Sequence, residues 1–270
     1  MIRPLLKWVG GKTQCIDVLM EHFPDTCRDY YEPFVGGGSV LLAVLESGMV
    51  KGTVYASDVN EALVYMYIAI QTNPDALVDE IEGVGLVGEQ TYYTLRDEFN
   101  AIDKKTLRAS ALFILLNKTC FRGLYREGPR GFNVPFGHYK NPTIVDRAHV
   151  HHVSRAIQKV VFRVESYQKA IERVGEDDFV YMDPPYFPVN KTSFTEYSTK
   201  EFSGENFVNV CKSLRCKWVM SNSDVPMLRE MFPWYVIVPC RRAIHSKDPS
   251  SMVNELLISS EKGTNKNLLA

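Results

Sequence analysis

The run Phe179-Val180-Tyr181-Met182 ends in Asp183-Pro184-Pro185-Tyr186-Phe187, and this junction constrains the chain more than any other stretch. The apolar run is short, branched or aromatic, and it follows the acidic turn Glu176-Asp177-Asp178, which marks a buried strand. Two successive prolines have fixed φ and no amide hydrogens, so the chain must leave the sheet there as a rigid loop. Asp183 therefore stands at the carboxyl end of a strand, where open α/β sheets place their ligand crevices. A carboxylate, neighbouring backbone carbonyls and a tyrosine face converging on one point suit a flat heterocycle with an exocyclic amine. Four residues recur by chance, so an ordinary proline turn with two surface aromatics reads equally well from this stretch alone.

A second strand end has similar character. Tyr30-Tyr31-Glu32 passes through Pro33-Phe34-Val35 into Gly36-Gly37-Gly38 and an apolar helix from Ser39, with Gly48 placed to cap it. The next strand, Thr53 to Ala56, ends at Ser57-Asp58. An acid about 20 residues after a glycine turn is where nucleoside-binding α/β folds hold ribose hydroxyls. Glu32-Pro33-Phe34 stands in place of Gly-x-Gly, so the half-site suits a nucleoside cofactor rather than a dinucleotide; a merely structural βαβ turn is the alternative. Further upstream, Lys7-Trp8-Val9-Gly10-Gly11-Lys12 precedes helical spacing of Ile16, Leu19, Met20 and Phe23. Its glycine pair is expected to open that helix and leave amides as an anion seat beside Lys12, with Trp8 covering an aromatic ligand. From Glu61 to about Arg108 the periodicity is helical, with no catalytic constellation, and the tyrosines there read as core. Downstream come a polar and aromatic loop, Asn190 to Tyr197, expected to move over the site, and a helix from Glu201 to Leu214. A strand from Lys217 ends in Ser221 to Asp224, and Tyr235 to Val238 with Asn254 to Ser259 form an edge pair before a frayed tail from Lys262. Strands alternating with helices specify a doubly wound sheet.

At 270 residues, with 45% hydrophobic and 23% charged residues, the composition is that of a soluble globular protein with one large α/β domain, or such a domain with an insertion. Its six cysteines are scattered without Cys-x-x-Cys pairs, which predicts free thiols rather than disulfides or zinc. The start Met1-Ile2-Arg3-Pro4 lacks an apolar leader, and no run of about 18 apolar residues is present, so a cytoplasmic protein without a membrane partner is expected. A net charge of −1 hides an uneven distribution. Between Asn117 and Arg163, the bases Lys118, Arg122, Arg126, Arg130, Lys140, Arg147, Arg155, Lys159 and Arg163 oppose only Glu127 and Asp146. That excess predicts a localised polyanion-binding face, against the alternative of a solvated surface segment. Within it, the apolar helix Ala111 to Leu116 runs into a turn-rich stretch of arginines and aromatics, Asn117 to Tyr139. Arginine forks read guanine edges and aromatics wedge between base steps. His149, His151 and His152 lack Cys or acid partners at ligand spacing, so no metal is expected.

Taken in order, Lys-Trp-x-Gly-Gly-Lys (7–12), Pro-Phe-x-Gly-Gly-Gly (33–38), Asn-x-x-x-Phe-x-Gly-Leu-x-Arg (117–126), Asp-Pro-Pro-Tyr (183–186) and Asn-Glu-Leu-Leu-Ile (254–258) resemble the Dam family of adenine-N6 DNA methyltransferases over nearly the whole chain. The resemblance implies a Rossmann-like methyltransferase sheet built from residues 1–60 and 161–270. Residues 61–160 would form a smaller, mostly helical target-recognition domain carrying a hairpin. It implies S-adenosylmethionine as methyl donor and double-stranded DNA as partner, with the target adenine flipped out of the duplex. Lys7, Trp8, Lys12, Phe34, Gly36, Gly38, Asp58 and Asp183 would contact the cofactor. Asp183 and the Pro184 carbonyl would accept hydrogen bonds from adenine N6 while Tyr186 stacks on the base. Lys118, Phe121, Arg122, Arg126, Arg130 and Asn133 would contact DNA. Members acting on GATC commonly carry Phe/Tyr-Asn-Gly-Leu where this chain has Phe121-Arg122-Gly123-Leu124. The second guanidinium favours another short palindrome, CATG ahead of GATC, and a cognate restriction endonuclease is a possible partner. An RNA or protein-glutamine methyltransferase could share the Asp-Pro-Pro-Tyr loop but leaves the arginine and aromatic insert unexplained. An inactive DNA-binding module would have no use for Asp58 and Asp183. A cytosine-C5 enzyme would need Pro-Cys in the loop, where this chain has Pro-Pro.

Overall fold

The computed structural model describes residues 1–187, 202, 204–241 and 252–260. A short α1 (Ile16–Met20) leads into β1 (Tyr30–Glu32), α2 (Ser39–Ser47) and β2 (Val54–Asp58). Four helices follow, α3 (Glu61–Thr72), α4 (Pro74–Glu82), α5 (Glu89–Ala101) and α6 (Leu107–Thr119), and then the hairpin of β3 (Glu127–Gly128) and β4 (Gly131–Phe132). The chain returns through α7 (Arg147–Ala156) to β5 (Val160–Val164), α8 (Tyr167–Ile171), β6 (Phe179–Met182), α9 (Gly204–Ser213) and β7 (Lys217–Ser223). It closes with α10 (Pro226–Met231), β8 (Tyr235–Arg241) and β9 (Met252–Ser259).

Among the described residues these strands form one seven-stranded sheet in the order β5-β2-β1-β6-β7-β9-β8. The first five run parallel, and β9 and β8 join antiparallel as an edge pair. This is the doubly wound sheet that the alternation of strands and helices predicts. The order reverses where β1 pairs with both β2 and β6, the position where such sheets open a crevice at their carboxyl edge. All four β6 residues are buried. Their alternation sends Phe179 and Tyr181 into one core, with Tyr30 and Phe23, and Val180 and Met182 into the other, with Trp218 and Phe207. Burial on both faces explains why β6 reads as an uninterrupted apolar run. Truncating Phe179, whose ring lies 4.7 Å from that of Phe23, should cost about 3–5 kcal/mol.

The helices start and stop where local chemistry directs. The Asn60, Thr106 and Asp146 side chains accept hydrogen bonds from Leu63, Ala109 and His149 amides at the starts of α3, α6 and α7. Gly48 ends α2 in the left-handed conformation, φ 69°. Helix α6 is buried over most of its length, and its core is continuous with one face of the sheet.

Two expectations are corrected. The glycine pair at Gly10-Gly11 does not open a helix: Gly11 N donates to Trp8 O, Cys15 N to Lys12 O, and α1 begins only at Ile16. The segment is held as turns by bonds of Lys12, whose amide donates to Ser39 Oγ and whose ammonium donates to both Gly10 O and the distant Asp183. Nor is the basic segment one face. Arg147 is consumed by Asp75, Asp79 and Glu82, and Arg163 lies on β5 at the far edge of the sheet. The expected loop from Asn190 to Tyr197 and the tail from Lys262 lie outside the described residues. Among the described residues no helix is long and apolar enough to cross a membrane.

Candidate active site

Asp183 follows β6 at the carboxyl edge of the sheet, and both its oxygens are held. Lys12 Nζ lies 2.5 Å from Oδ2, and Ser221 Oγ, at the end of β7, donates to Oδ1 at 2.9 Å. The buried Tyr181 hydroxyl stands 2.8 Å from Ser221 Oγ, and Lys12 also donates to Gly10 O at 2.7 Å. These contacts fix the carboxylate's direction while its side chain stays 21% exposed, against 3% for Lys12. Burial acts to lower the Lys12 pKa, but the charges of Asp183 and Glu255 outweigh it, and the ammonium ends above the ordinary lysine value. Glu32, at the end of β1, is buried beneath this pair. Burial, reinforced by the Asp183 charge, pushes its carboxyl up to about 8 despite a 2.7 Å hydrogen bond from Tyr30. Glu32 is therefore protonated at neutral pH, and the charges around Lys12 reduce to Asp183 and Glu255.

Tyr186 completes this cluster. Its hydroxyl donates to Glu255 Oε2 at 2.9 Å, and Lys12 Nζ is 5.2 Å from its ring centroid. Burial, then the Asp183 and Glu255 charges, hold the phenol well above its ordinary pKa, so it remains a neutral donor. A fixed carboxylate, the carbonyl of Pro184 beside it and a half-buried aromatic ring form an acceptor site for a planar amine. The loop 183–187 contains no cysteine for covalent attack on a base.

Beside it lies the glycine turn. Gly36 has φ 47°, and a Cβ there would sit 2.8 Å from Trp8 Nε1; Gly38 has φ 74°, and its Cβ would meet the Tyr67 hydroxyl at 2.6 Å. Tyr67 itself donates to Gly36 O at 2.9 Å. Asp58, at the end of β2, accepts from Gly36 N at 3.2 Å and Asn60 N at 3.0 Å. Burial raises its pKa against those backbone donors. Phe34 stacks on Tyr167, centroids 5.5 Å apart, and the Tyr167 hydroxyl is buried without a hydrogen-bond partner among the described residues. A half-buried carboxylate with unused lone pairs, an aromatic slab and an orphaned hydroxyl fit a nucleoside.

The turn-rich segment 117–139 is fastened to this site through Asn117. Its Oδ1 accepts from Lys7 N at 2.9 Å, and its Nδ2 donates to Lys7 O at 2.7 Å and Gly123 O at 3.1 Å. Lys7 thus lies on this segment, its ammonium 4.2 Å over the Tyr139 ring, while Lys12 lies with Asp183. Trp8 bridges the two, its indole against the Gly36-Gly37 turn and stacked on Tyr125 at 5.8 Å. Asn100 grips Phe132 through N and O and holds the hairpin on α5. Phe121, Arg122, Arg126 and Arg130 are exposed there, with Arg126 Nε donating to Asn133 Oδ1 at 2.7 Å. Arg122 has φ 56° and its guanidinium lies 5.1 Å from the Phe121 ring centroid. Lys118 is half-buried, and burial followed by the Lys7 charge lowers its pKa. Sequence reasoning assigned no role to Glu32, Tyr67, Tyr167, Ser221 or Glu255. The available signal was polar residues at strand ends, as in Ser221-Asn222-Ser223 and Asn254-Glu255. Among the described residues no group of three His, Cys, Asp or Glu is placed to hold a metal ion, and His151 Nε2 lies 3.0 Å from Asp75.

The family model described as D12 class N6 adenine-specific DNA methyltransferase matches residues 8–242. The chain is 36% identical over 285 residues to the Type II methyltransferase M.MjaIII of Methanocaldococcus jannaschii, covering 95% of this chain and 98% of that one. It is 34% identical over 273 residues to the DNA adenine methylase of Escherichia coli strain K12, covering 94% of each. It is 33% identical over 245 residues to the Type II methyltransferase M1.LlaDCHI of Lactococcus lactis subsp. cremoris, covering 86% and 84%.

Proposed function

Because the chain belongs to the D12 class of N6 adenine-specific DNA methyltransferases, which use S-adenosylmethionine, we propose that Asp183, Pro184 and Tyr186 carry the transfer and that the hairpin segment chooses its site. The observation that carries this reading is the double fastening of Asp183 beside Tyr186. When bound, S-adenosylmethionine supplies an electrophilic methyl group. Adenine N6 cannot meet such a group from within the duplex, so the base leaves the stack and its face rests on Tyr186. The N6 lone pair is delocalised into the ring. Hydrogen bonds from N6–H to Asp183 and the Pro184 carbonyl draw the nitrogen towards tetrahedral geometry and shield its developing positive charge. Because Lys12 and Ser221 already fix the acceptor, little reorganisation accompanies the reaction. Lys12 pairs with Asp183 and holds it as the hydrogen-bond acceptor; once methylated, N6 gives up a proton, which leaves to solvent along that hydrogen bond.

Asp58 is suited to the ribose hydroxyls of the cofactor, the Gly36 to Gly38 turn with Trp8 to its amino-acid end, and Phe34 to its base. Residues 61–160 act as the target-recognition unit. Lys7, seated on that unit, serves the DNA side as much as the cofactor side. Lys118, Phe121, Arg122, Arg126, Arg130 and Asn133 contact double-stranded DNA, with Asn133 acting mainly by holding Arg126. The Phe121-Arg122-Gly123-Leu124 sequence favours CATG over GATC, and the Type II names of two relatives suggest a restriction endonuclease of the same specificity as partner. Duplexes each carrying one tetranucleotide palindrome, incubated with S-adenosylmethionine and challenged with the matching nuclease, test this. Protection of CATG alone is expected; protection of GATC alone would refute the assignment to Arg122.

A further inference from the structure

The loop 183–187 is fastened at both ends, and its second fastening comes from strands that carry no part of the Asp-Pro-Pro-Tyr motif. Asp183 is held by Lys12 and Ser221, and the two prolines restrict what lies between. At the far end Phe187 N donates to Asn222 Oδ1 of β7 at 2.9 Å, and the Tyr186 hydroxyl donates to Glu255 Oε2 of β9 at 2.9 Å. Glu255 is opposite Ser223 in the antiparallel β7–β9 ladder, so β9 delivers a carboxylate to the carboxyl rim of the parallel sheet. It is 6% exposed, followed by buried Leu256, Leu257 and Ile258. A buried carboxylate is costly unless it is paired and hydrogen-bonded, and here Tyr186 and the Lys12 charge answer it. A tyrosine ring can turn about two side-chain bonds. A hydrogen bond at its para position fixes its direction without covering either face.

We infer that Glu255 is a positioning residue for methyl transfer: through the Tyr186 hydroxyl it sets the ring against which the target adenine stacks. This rests on the proposed stacking role of Tyr186. The plain alternative is that Glu255 only balances the charge of Lys12.

Single-turnover transfer of labelled methyl to a duplex carrying the preferred site separates the two. Glu255→Ala and Tyr186→Phe should each slow transfer by about tenfold or more with S-adenosylmethionine affinity unchanged. Glu255→Ala should slow the Tyr186→Phe enzyme no further, because both changes remove one hydrogen bond. Glu255→Gln, which keeps an acceptor and loses the charge, should recover most of the rate lost in Glu255→Ala. With 2-aminopurine at the target position, Glu255→Ala should alter the fluorescence of the flipped base in the same way as Tyr186→Phe. Losses that multiply in the double variant, or a Glu255→Gln enzyme as slow as Glu255→Ala, would overturn the inference. If Glu255→Ala fails to fold, wild-type transfer by Tyr186→Phe would overturn it alone. A wild-type protein that methylates no duplex would instead remove the reading on which it rests.

Discussion

Glu32→Gln should change how stability depends on pH. The Glu32 carboxyl is pushed up to about 8 in the folded protein from an ordinary 4.5, chiefly by burial and then by the Asp183 charge. The folded state therefore keeps a proton that the unfolded chain releases between those values. Stability from this group is full below the unfolded pKa and is lost as pH rises through the folded one. Between about pH 5.5 and about pH 8.5 that loss is on the order of 3 kcal/mol of unfolding free energy. Glutamine preserves an acceptor for the Tyr30 hydroxyl and cannot ionise. Urea unfolding of both proteins at the two pH values should show the wild type losing about 3 kcal/mol more than Glu32→Gln, with other titrating groups cancelling in the comparison. Parallel pH profiles would mean that Glu32 is ionised in the folded protein at neutral pH. The charge balance drawn around Lys12 and Asp183 would then be wrong.

Other outcomes follow from single contacts. Gly36→Ala places a side chain at φ 47° and a Cβ 2.8 Å from Trp8 Nε1. It should cost about 2–5 kcal/mol in urea unfolding, of which about 1–2 kcal/mol, the left-handed strain, should remain in a Trp8→Ala background. An undiminished cost there would show that the close approach of Trp8 is not responsible. Gly123→Ala meets φ 66° and the Lys7 side chain, and should raise the KM for DNA; an unchanged KM for DNA would contradict it. Arg126→Ala should relax preference at one base position by about 1–3 kcal/mol, read as relative rates on singly altered sites. Equal loss on every sequence would make Arg126 a phosphate contact.

What was legible in the sequence is what local periodicity determines. The buried run of β6, the glycine turn into α2, the helices from Glu61 onward and the β8–β9 edge pair all follow from patterns a few residues long. Gly10-Gly11 misled because a local preference for a helix start yielded to tertiary bonds. Lys12 reaches Asp183 across 171 positions, and its turn is shaped by that reach. The basic segment misled for a different reason: a charge count cannot show which bases are already paired. Arg147 is taken up by three acids of α4, far back in the chain. Ser221 was visible only as a polar residue near a strand end, and Glu255 only as a member of the Asn-Glu-Leu-Leu-Ile motif with no role attached. Their roles depend on β6, β7 and β9 lying side by side, which fixes the register Ser223 to Glu255. Glu32 shows the same limit, since its neutral state arises from a burial and a neighbour that no short pattern encodes.

The most direct test of the account is single-turnover transfer of labelled methyl from S-adenosylmethionine into duplex DNA, with the product nucleoside identified, for the wild type beside Asp183→Asn. The asparagine keeps the loop's shape but loses the charged acceptor that Lys12 and Ser221 hold in place. The account predicts N6-methyladenine from the wild type and a rate at least about a hundredfold lower in the variant, with bound DNA still retained. Equal rates from the two proteins would contradict it.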